Sequence, residues 1–140
     1  MDFARRNRYF FKGTDKGFKI VEIDGEEERF EVLQTFEFNS DRKRASVMIR
    51  DSDNTIKIFT KGADTIIKKR LAAESQPFLP VIDKQIEKFS LIGLRTLLMT
   101  MRIISVEEYR EIEAKILKVV DAPNREDMIG FLWCRVVHWN

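Results

Sequence analysis

Phe36-Glu-Phe-Asn-Ser-Asp-Arg-Lys-Arg44, Ala45-Ser-Val-Met-Ile-Arg50, Asp51-Ser-Asp-Asn54, Thr55-Ile-Lys-Ile-Phe-Thr-Lys61 and Gly62-Ala-Asp64 follow one another without a break, and their reading decides the fold. From Arg44 to Arg50 the chain alternates, with Ala45, Val47 and Ile49 on one face. From Thr55 to Lys61 it alternates again, with Ile56 and Ile58 set against Lys57, Phe59 and Lys61. Period-two alternation on both sides of an Asp/Ser/Asn cluster predicts a β-hairpin turning at 51–54. A hairpin holds its two ends side by side, so Phe38 before it and Lys61 after it are expected to be neighbours. An aromatic face beside an ammonium suits a purine that carries phosphates.

Outward from the hairpin, the chain reads as strands first and helices afterwards. Residues 2–8 resemble the end of a helix, and the aromatic cluster Tyr9-Phe-Phe11 needs a surface to bury it. Phe18 to Ile23 is a short strand, followed by the turn signal Asp24-Gly25. Residues 29–38 form a longer strand with Phe30, Val32, Phe36 and Phe38 on one parity and Glu31, Leu33 and Glu37 on the other. After the hairpin, 62–71 reads as a helix with Ala63, Ile66, Ile67 and Leu71 inward and Lys68, Lys69 and Arg70 at its C-terminal end, where the macrodipole favours cations. Residues 72–80 link it to a second helix at 81–92, whose Ile82, Ile86 and Phe89 face inward, and Gly93 stands where a helix ends left-handed. The run 94–104 is nearly all apolar and predicts a strand buried on both faces. Ser105-Val-Glu-Glu108 is a capping box that opens a third helix, with Tyr109, Ile112, Ile116 and Val119 on its core side and Asp121-Ala-Pro123 as its stop. The fold class expected is therefore α/β of the α+β type: an antiparallel β-sheet flanked by helices. Residues 124–140 form an unplaced tail.

Composition excludes several classes. At 140 residues, 44% hydrophobic and 34% charged, the chain is one globular domain able to bury a core. A net charge of +2 despite 25 basic residues argues against a nucleic-acid-coating protein. The lone Cys134 makes no internal disulfide, and no metal-ligand cluster or nucleophile–base spacing stands out. Met1 to Arg8 has no apolar core of the kind a secretory signal needs, and the apolar run Met128 to Cys134 is far shorter than the ~20 residues of a membrane span.

Three motifs in order, Glu37-Phe-Asn-Ser-Asp-Arg-Lys-Arg44, Lys61-Gly-Ala-Asp64 and Gly93-Leu-Arg-Thr-Leu97, resemble the nucleotide-binding domain of P-type ATPases. Thr65 to Leu71 and Glu107-Glu-Tyr109 are similar to the phospholipid-transporting (flippase) branch, and the resemblance runs from about residue 3 to 120. It implies residues 1–123 as a nucleotide-binding domain that holds ATP by its base and presents the phosphates to a phosphorylation domain. It puts the adenine-stacking aromatic on Phe38, the pocket lysine on Lys61, a phosphate-side arginine on Arg95, and flanking pocket positions on Ser40 and Lys43. The implied partners are ATP, the phosphorylation and actuator domains of a parent chain, and phospholipid through that parent's membrane helices, with no nucleic acid. The implied location is the cytosolic face of a membrane, the isolated piece being soluble.

The family's Asp-Lys-Thr-Gly phosphorylation motif, its magnesium-binding aspartates and its membrane helices do not occur in these 140 residues. The chain alone is therefore expected to bind nucleotide without catalysis, with Mg2+ needed only in a parent enzyme, because phosphoryl transfer requires an acceptor and a metal in line. Other readings of the same residues stay open. Phe38 shares the parity of Phe36 and could be core; Lys61 could be a solvated lysine; Arg95 could serve a structural ion pair; Asp64 could charge the first turn of its helix. A single-stranded nucleic-acid binder, or a protein-interaction module using the Trp133–Trp139 tail, are the rival functions.

Overall fold

The computed structural model describes residues 2–118. Six strands form one antiparallel sheet in sequence order: β1 (Tyr9–Asp15), β2 (Phe18–Ile23), β3 (Glu26–Asn39), β4 (Arg44–Arg50), β5 (Ile56–Gly62) and β6 (Leu98–Ile104). Helix α1 (Asp2–Arg6) precedes the sheet; α2 (Asp64–Lys68), a 3-10 turn over Ala73–Phe78 and α3 (Leu79–Leu91) lie between β5 and β6, and α4 (Val106–Leu117) follows. The expected α+β architecture is therefore present.

The hairpin at the centre turns where its residue types demand. Asn54 takes a left-handed φ of 68°, its N–H donates to the Asp51 carbonyl at 3.0 Å, and the Asp51 N–H donates to the Thr55 carbonyl at 2.9 Å. The Asp53 carboxylate accepts the Thr55 N–H at 2.9 Å, and that bond holds its pKa below the usual carboxylate value. Lys57 pairs with Asp51, which pushes the lysine above its ordinary value.

Register defines two faces. Ser46, Met48, Ile56, Ile58 and Ile104 share the side that carries the core with Phe36, and α4 lays Ile112 into it, flanked by Tyr109 and Ile116. At this margin Arg50 bridges Glu31 at 2.7 Å and lies 5.8 Å from the Tyr109 ring centroid. Burial and the hydrogen bond to Glu113 push the Tyr109 hydroxyl up to about 12. The face of Ala45, Val47 and Ile49 is the opposite one. It continues through Phe59 and Lys57 to Met99, Met101 and Ile103, of which the last three are exposed.

Several expectations give way here. The parity of the long strand breaks twice, because β3 shifts register between Val32 and Gln34 and again between Phe36 and Asn39. A β-bulge adds one unpaired residue, so side chains beyond it change faces. Phe36 therefore enters the core, while Val32 pairs with Ile49 on the other side. Tyr9, Phe10 and Phe11 stay substantially exposed on edge strand β1 instead of being buried. The apolar run 94–104 becomes a strand only from Leu98, and β6 is the other edge strand, with one open face in place of two buried ones. The helix expected at 62–71 is reduced to Asp64–Lys68, with Ile67 its buried residue. Lys68 there bonds Asp83 of α3 and, at 3.4 Å, Asp64, which sits in the first turn without capping it. The helix expected at 81–92 begins two residues earlier, and Phe89 on it is exposed.

The two predicted helix ends hold. Gly93 is left-handed at φ 77°, with the Leu94 N–H donating to the Phe89 carbonyl at 2.9 Å. Ser105 Oγ accepts the Glu108 N–H at 3.1 Å. The reciprocal half of the box is diverted: the Glu108 carboxylate makes a two-point pair with Arg102, at 2.7 and 3.1 Å. Val119, Pro123 and the tail 124–140 lie outside the described residues.

The assignment of faces can be tested by denaturation. Ile58 is fully buried and Met99 is 76% exposed, on opposite sides of adjacent strands. Ile58→Ala is expected to cost about 2–5 kcal/mol, as buried aliphatic truncations do. Met99→Ala is expected to stay within about 0.5 kcal/mol of wild type.

Candidate functional site

Strands β3 and β5 end, and β4 and β6 begin, at the same end of the sheet. Asn39 faces Arg44, Arg44 faces Gly62, and Gly62 faces Leu98. The five residues singled out by sequence all collect at this end. Phe38 closes β3, Ser40 and Lys43 lie in the turn to β4, Lys61 precedes the end of β5, and Arg95 stands in the segment that leads from α3 into β6.

The bulge in β3 decides what Phe38 does. Three steps from Phe36 to Asn39 match two steps from Ser46 to Arg44, so Glu37 and Phe38 together stand opposite Ala45. Phe38 is 63% exposed, whereas Phe36, two residues earlier, is buried at 4%. Shared parity with Phe36 therefore does not make Phe38 a core residue. Ala45 pairs with Lys61, and Lys61 with Met99, so one row across the exposed face reads Phe38, Ala45, Lys61, Met99. Phe38 and Lys61, expected to be neighbours, stand on β3 and β5 with β4 between them. Two strand spacings make that separation about 10 Å. The β4 residue between them, Ala45, contributes no more than a methyl group.

The turn between β3 and β4 is heavily tied. The Asn39 side-chain oxygen accepts the N–H of Asp41 at 2.7 Å and of Arg42 at 3.4 Å, an Asx arrangement that suits asparagine. The Asn39 carbonyl accepts the Lys43 N–H at 2.7 Å. Lys43 itself is left-handed at φ 52°. Its carbonyl accepts the Ala63 N–H at 3.2 Å, which fastens the turn to the chain leaving β5. Gly62 is required by this contact. A Cβ there would lie 2.7 Å from both the Lys43 carbonyl oxygen and the Arg44 Cβ. The close approach that the glycine permits is by backbone.

Electrostatically the site is basic and open. Among the described residues, no carboxylate lies within ion-pair distance of Lys43, Lys61 or Arg95. The structural ion pair considered for Arg95 thus has no partner among them. Arg95 is exposed and lies in the loop 94–97, not in a buried strand, and it comes to the same end of the sheet with no hydrogen bond to the other four. Among the described residues no group of three or more His, Cys, Asp or Glu side chains is placed to hold a metal ion. The arrangement can offer an aromatic face and three unneutralised cations to one elongated anionic ligand.

Sequence reading passed over Asn39, Arg44 and Ala45. Asn39 carried a usable signal, since Asn-Ser-Asp after a strand is turn chemistry. Ala45 carried none, because a small residue in a strand has no meaning until its neighbours across the sheet are known.

The family model for the P-type ATPase cytoplasmic domain N matches residues 2–130. The phospholipid-transporting ATPase DRS2 of Saccharomyces cerevisiae is 40% identical over 110 residues, which is 71% of this chain and 8% of that protein. The phospholipid-transporting ATPase tat-1 of Caenorhabditis elegans is 36% identical over 115 residues, 79% of this chain and 10% of its own length. The phospholipid-transporting ATPase 10 of Arabidopsis thaliana is 36% identical over 107 residues, covering 73% and 9%. The chain thus spans a tenth or less of these curated relatives.

If the turn contact governs this end of the sheet, Gly62→Ala is expected to destabilise the domain by about 1–3 kcal/mol through overpacking. Its amide shift changes should centre on Lys43, Arg44 and Ala63. A variant as stable as wild type, with those amides unmoved, would contradict the geometry.

Proposed function

The chain belongs to the P-type ATPases, matching their cytoplasmic domain N, and on that premise we propose that it is the ATP-holding part of a longer phospholipid-transporting enzyme. Residues 1–123 make up the nucleotide-binding unit in this reading. Adenine stacks on Phe38 above Ala45; Lys61 borders the base and faces the phosphates; Lys43, Ser40 and Arg95 line the phosphate side. The observation that carries the reading is Phe38 itself: a phenylalanine 63% exposed at a bulge, in one row with Lys61, amid cations lacking carboxylate partners among the described residues. An exposed aromatic face with nearby cations is what a nucleotide needs and what a folding core does not.

Chemistry beyond binding falls to other parts of the proposed parent. An acceptor aspartate, the Mg2+ that accompanies ATP and the path for phospholipid all belong to its other domains, as does attachment to a membrane. Among the described residues no helix is long and apolar enough to cross a bilayer.

Affinity follows from the parts. A stacked base contributes ~1–3 kcal/mol, and each partly screened phosphate contact on the order of 1 kcal/mol. With Lys61 and Arg95 as the two cation contacts, the total of about 3–5 kcal/mol corresponds to a dissociation constant near the millimolar range. Because the base supplies much of it, AMP and ADP are expected within roughly tenfold of ATP. Phe38→Ala should weaken all three nucleotides by about 1–3 kcal/mol with little loss of stability. Arg95→Ala should weaken ATP more than AMP. Calorimetric or NMR titration of the three nucleotides checks this. Micromolar binding of ATP that requires magnesium, with AMP silent, would instead mean a site that grips phosphates and makes no use of Phe38.

A second prediction concerns chemistry. Incubated with magnesium and γ-labelled ATP, the chain should neither turn over nor carry label through acid precipitation. Acid-stable label on the protein would contradict the assignment of phosphoryl transfer to other domains.

A further inference from the structure

Arg44 is 96% buried by its 4% exposure, yet among the described residues no carboxylate lies within ion-pair distance of it. Burying a guanidinium without a counter-charge is costly, and a residue used only to fill space would be cheaper as methionine or leucine. What its head group does is specific. Nη1 donates to the Arg42 carbonyl at 3.1 Å. Its stem lies against Gly62, where an added methyl would meet the Arg44 Cβ at 2.7 Å. Arg44 thus spans from the strand it opens back to the turn that precedes it.

The turn it reaches carries two of the proposed ligand contacts, Ser40 and Lys43. The turn is held on its other side by Arg42, which donates to the Glu37 carbonyl at 3.3 Å and lies 6.0 Å from the Phe36 ring centroid. Two carbonyls of the segment, those of Glu37 and Arg42, thereby accept from guanidinium groups, of Arg42 and Arg44 respectively. Lys43 sits between the second of them and the bond from its own carbonyl to Ala63, in a left-handed conformation that a lysine does not favour by itself.

We propose that Arg44 is a positioning residue for nucleotide phosphates: it braces the Asn39–Lys43 turn through the Arg42 carbonyl and so sets Lys43 where the phosphates arrive. This rests on the nucleotide reading of the site. Arg44 touches no ligand in this account; its effect passes through Lys43. The base-stacking half of the site, Phe38 and Ala45, lies on the opposite face of the sheet and does not depend on the brace.

The test uses the full 140-residue chain with Arg44→Met, Arg44→Lys, Lys43→Ala and the Arg44→Met/Lys43→Ala double variant. Without nucleotide, amide hydrogen exchange at Lys43 and Ala63 is expected to speed up in Arg44→Met, and less so in Arg44→Lys, which keeps a stem and a donor. With nucleotide, Arg44→Met is expected to weaken ATP by roughly three- to tenfold, the size of one lost hydrogen bond, and AMP by less than about half that factor. In the Lys43→Ala background the Arg44 substitution should add no further loss. Unchanged exchange at Lys43 overturns the brace. Equal losses for ATP and AMP, or additive losses in the double variant, overturn action through Lys43. Should Arg44→Met not fold, the Arg44→Lys exchange and ATP/AMP ratio decide the same question. If wild type binds no nucleotide, the nucleotide reading fails and this proposal with it, while the exchange comparison still reports whether the brace exists.

Discussion

A methyl group at position 62 would lie 2.7 Å from the Lys43 carbonyl oxygen, and the end of the sheet depends on that methyl being absent. With glycine there, the β3–β4 turn can lie against the end of β5, and the Lys43 carbonyl can take the Ala63 N–H. That bond joins two stretches far apart in sequence, one holding Phe38, Ser40 and Lys43, the other Lys61. Close backbone approach is an ordinary reason for glycine. Here it also explains why lysine and glycine stand together: the glycine fixes the strand end to the turn, and the lysine, one residue earlier, points to the other face.

The two faces of the sheet divide the labour. The side that α4 covers holds Phe36, Met48, Ile58 and Ile104 with Ile112, and closes its polar centre with the Ser46–Thr60 hydroxyl pair at 2.9 Å. The other side leaves Phe38, Lys61 and Met99 open. In the proposed reading, the core and the nucleotide site therefore use different side chains of the same strands. A substitution on the exposed face can change ligand affinity with small effect on folding, as surface substitutions generally have.

Much of this was legible in the sequence, and the losses have identifiable causes. Alternation around Asp51–Asn54 located the hairpin, Gly93 and Ser105 marked helix ends correctly, and three short motifs pointed to the family. The long strand 29–38 was the point of failure. Its apolar parity looked uniform, but two bulges in β3 reverse it, and nothing local in Leu33 or Glu37 announces an extra residue. The second of them also keeps Phe38 out of the core, where parity alone would have sent it. The apolar run at 94–104 misled for a different reason. Hydrophobicity on both parities implies two covered faces, yet β6 is an edge strand with Met99, Met101 and Ile103 exposed. Composition records how apolar a strand is, and not which of its faces the described residues cover.

The central claim is that adenine lies on the open face of the sheet, over Ala45 and against Phe38. Intermolecular nuclear Overhauser effects between the adenine H2 and H8 protons and the labelled protein test it most directly. The account predicts contacts to the Phe38 ring and the Ala45 methyl, weaker ones to Lys61 and Met99, and none to Ile104, Tyr109 or Ile112. Contacts to that second group, with Phe38 silent, would contradict it.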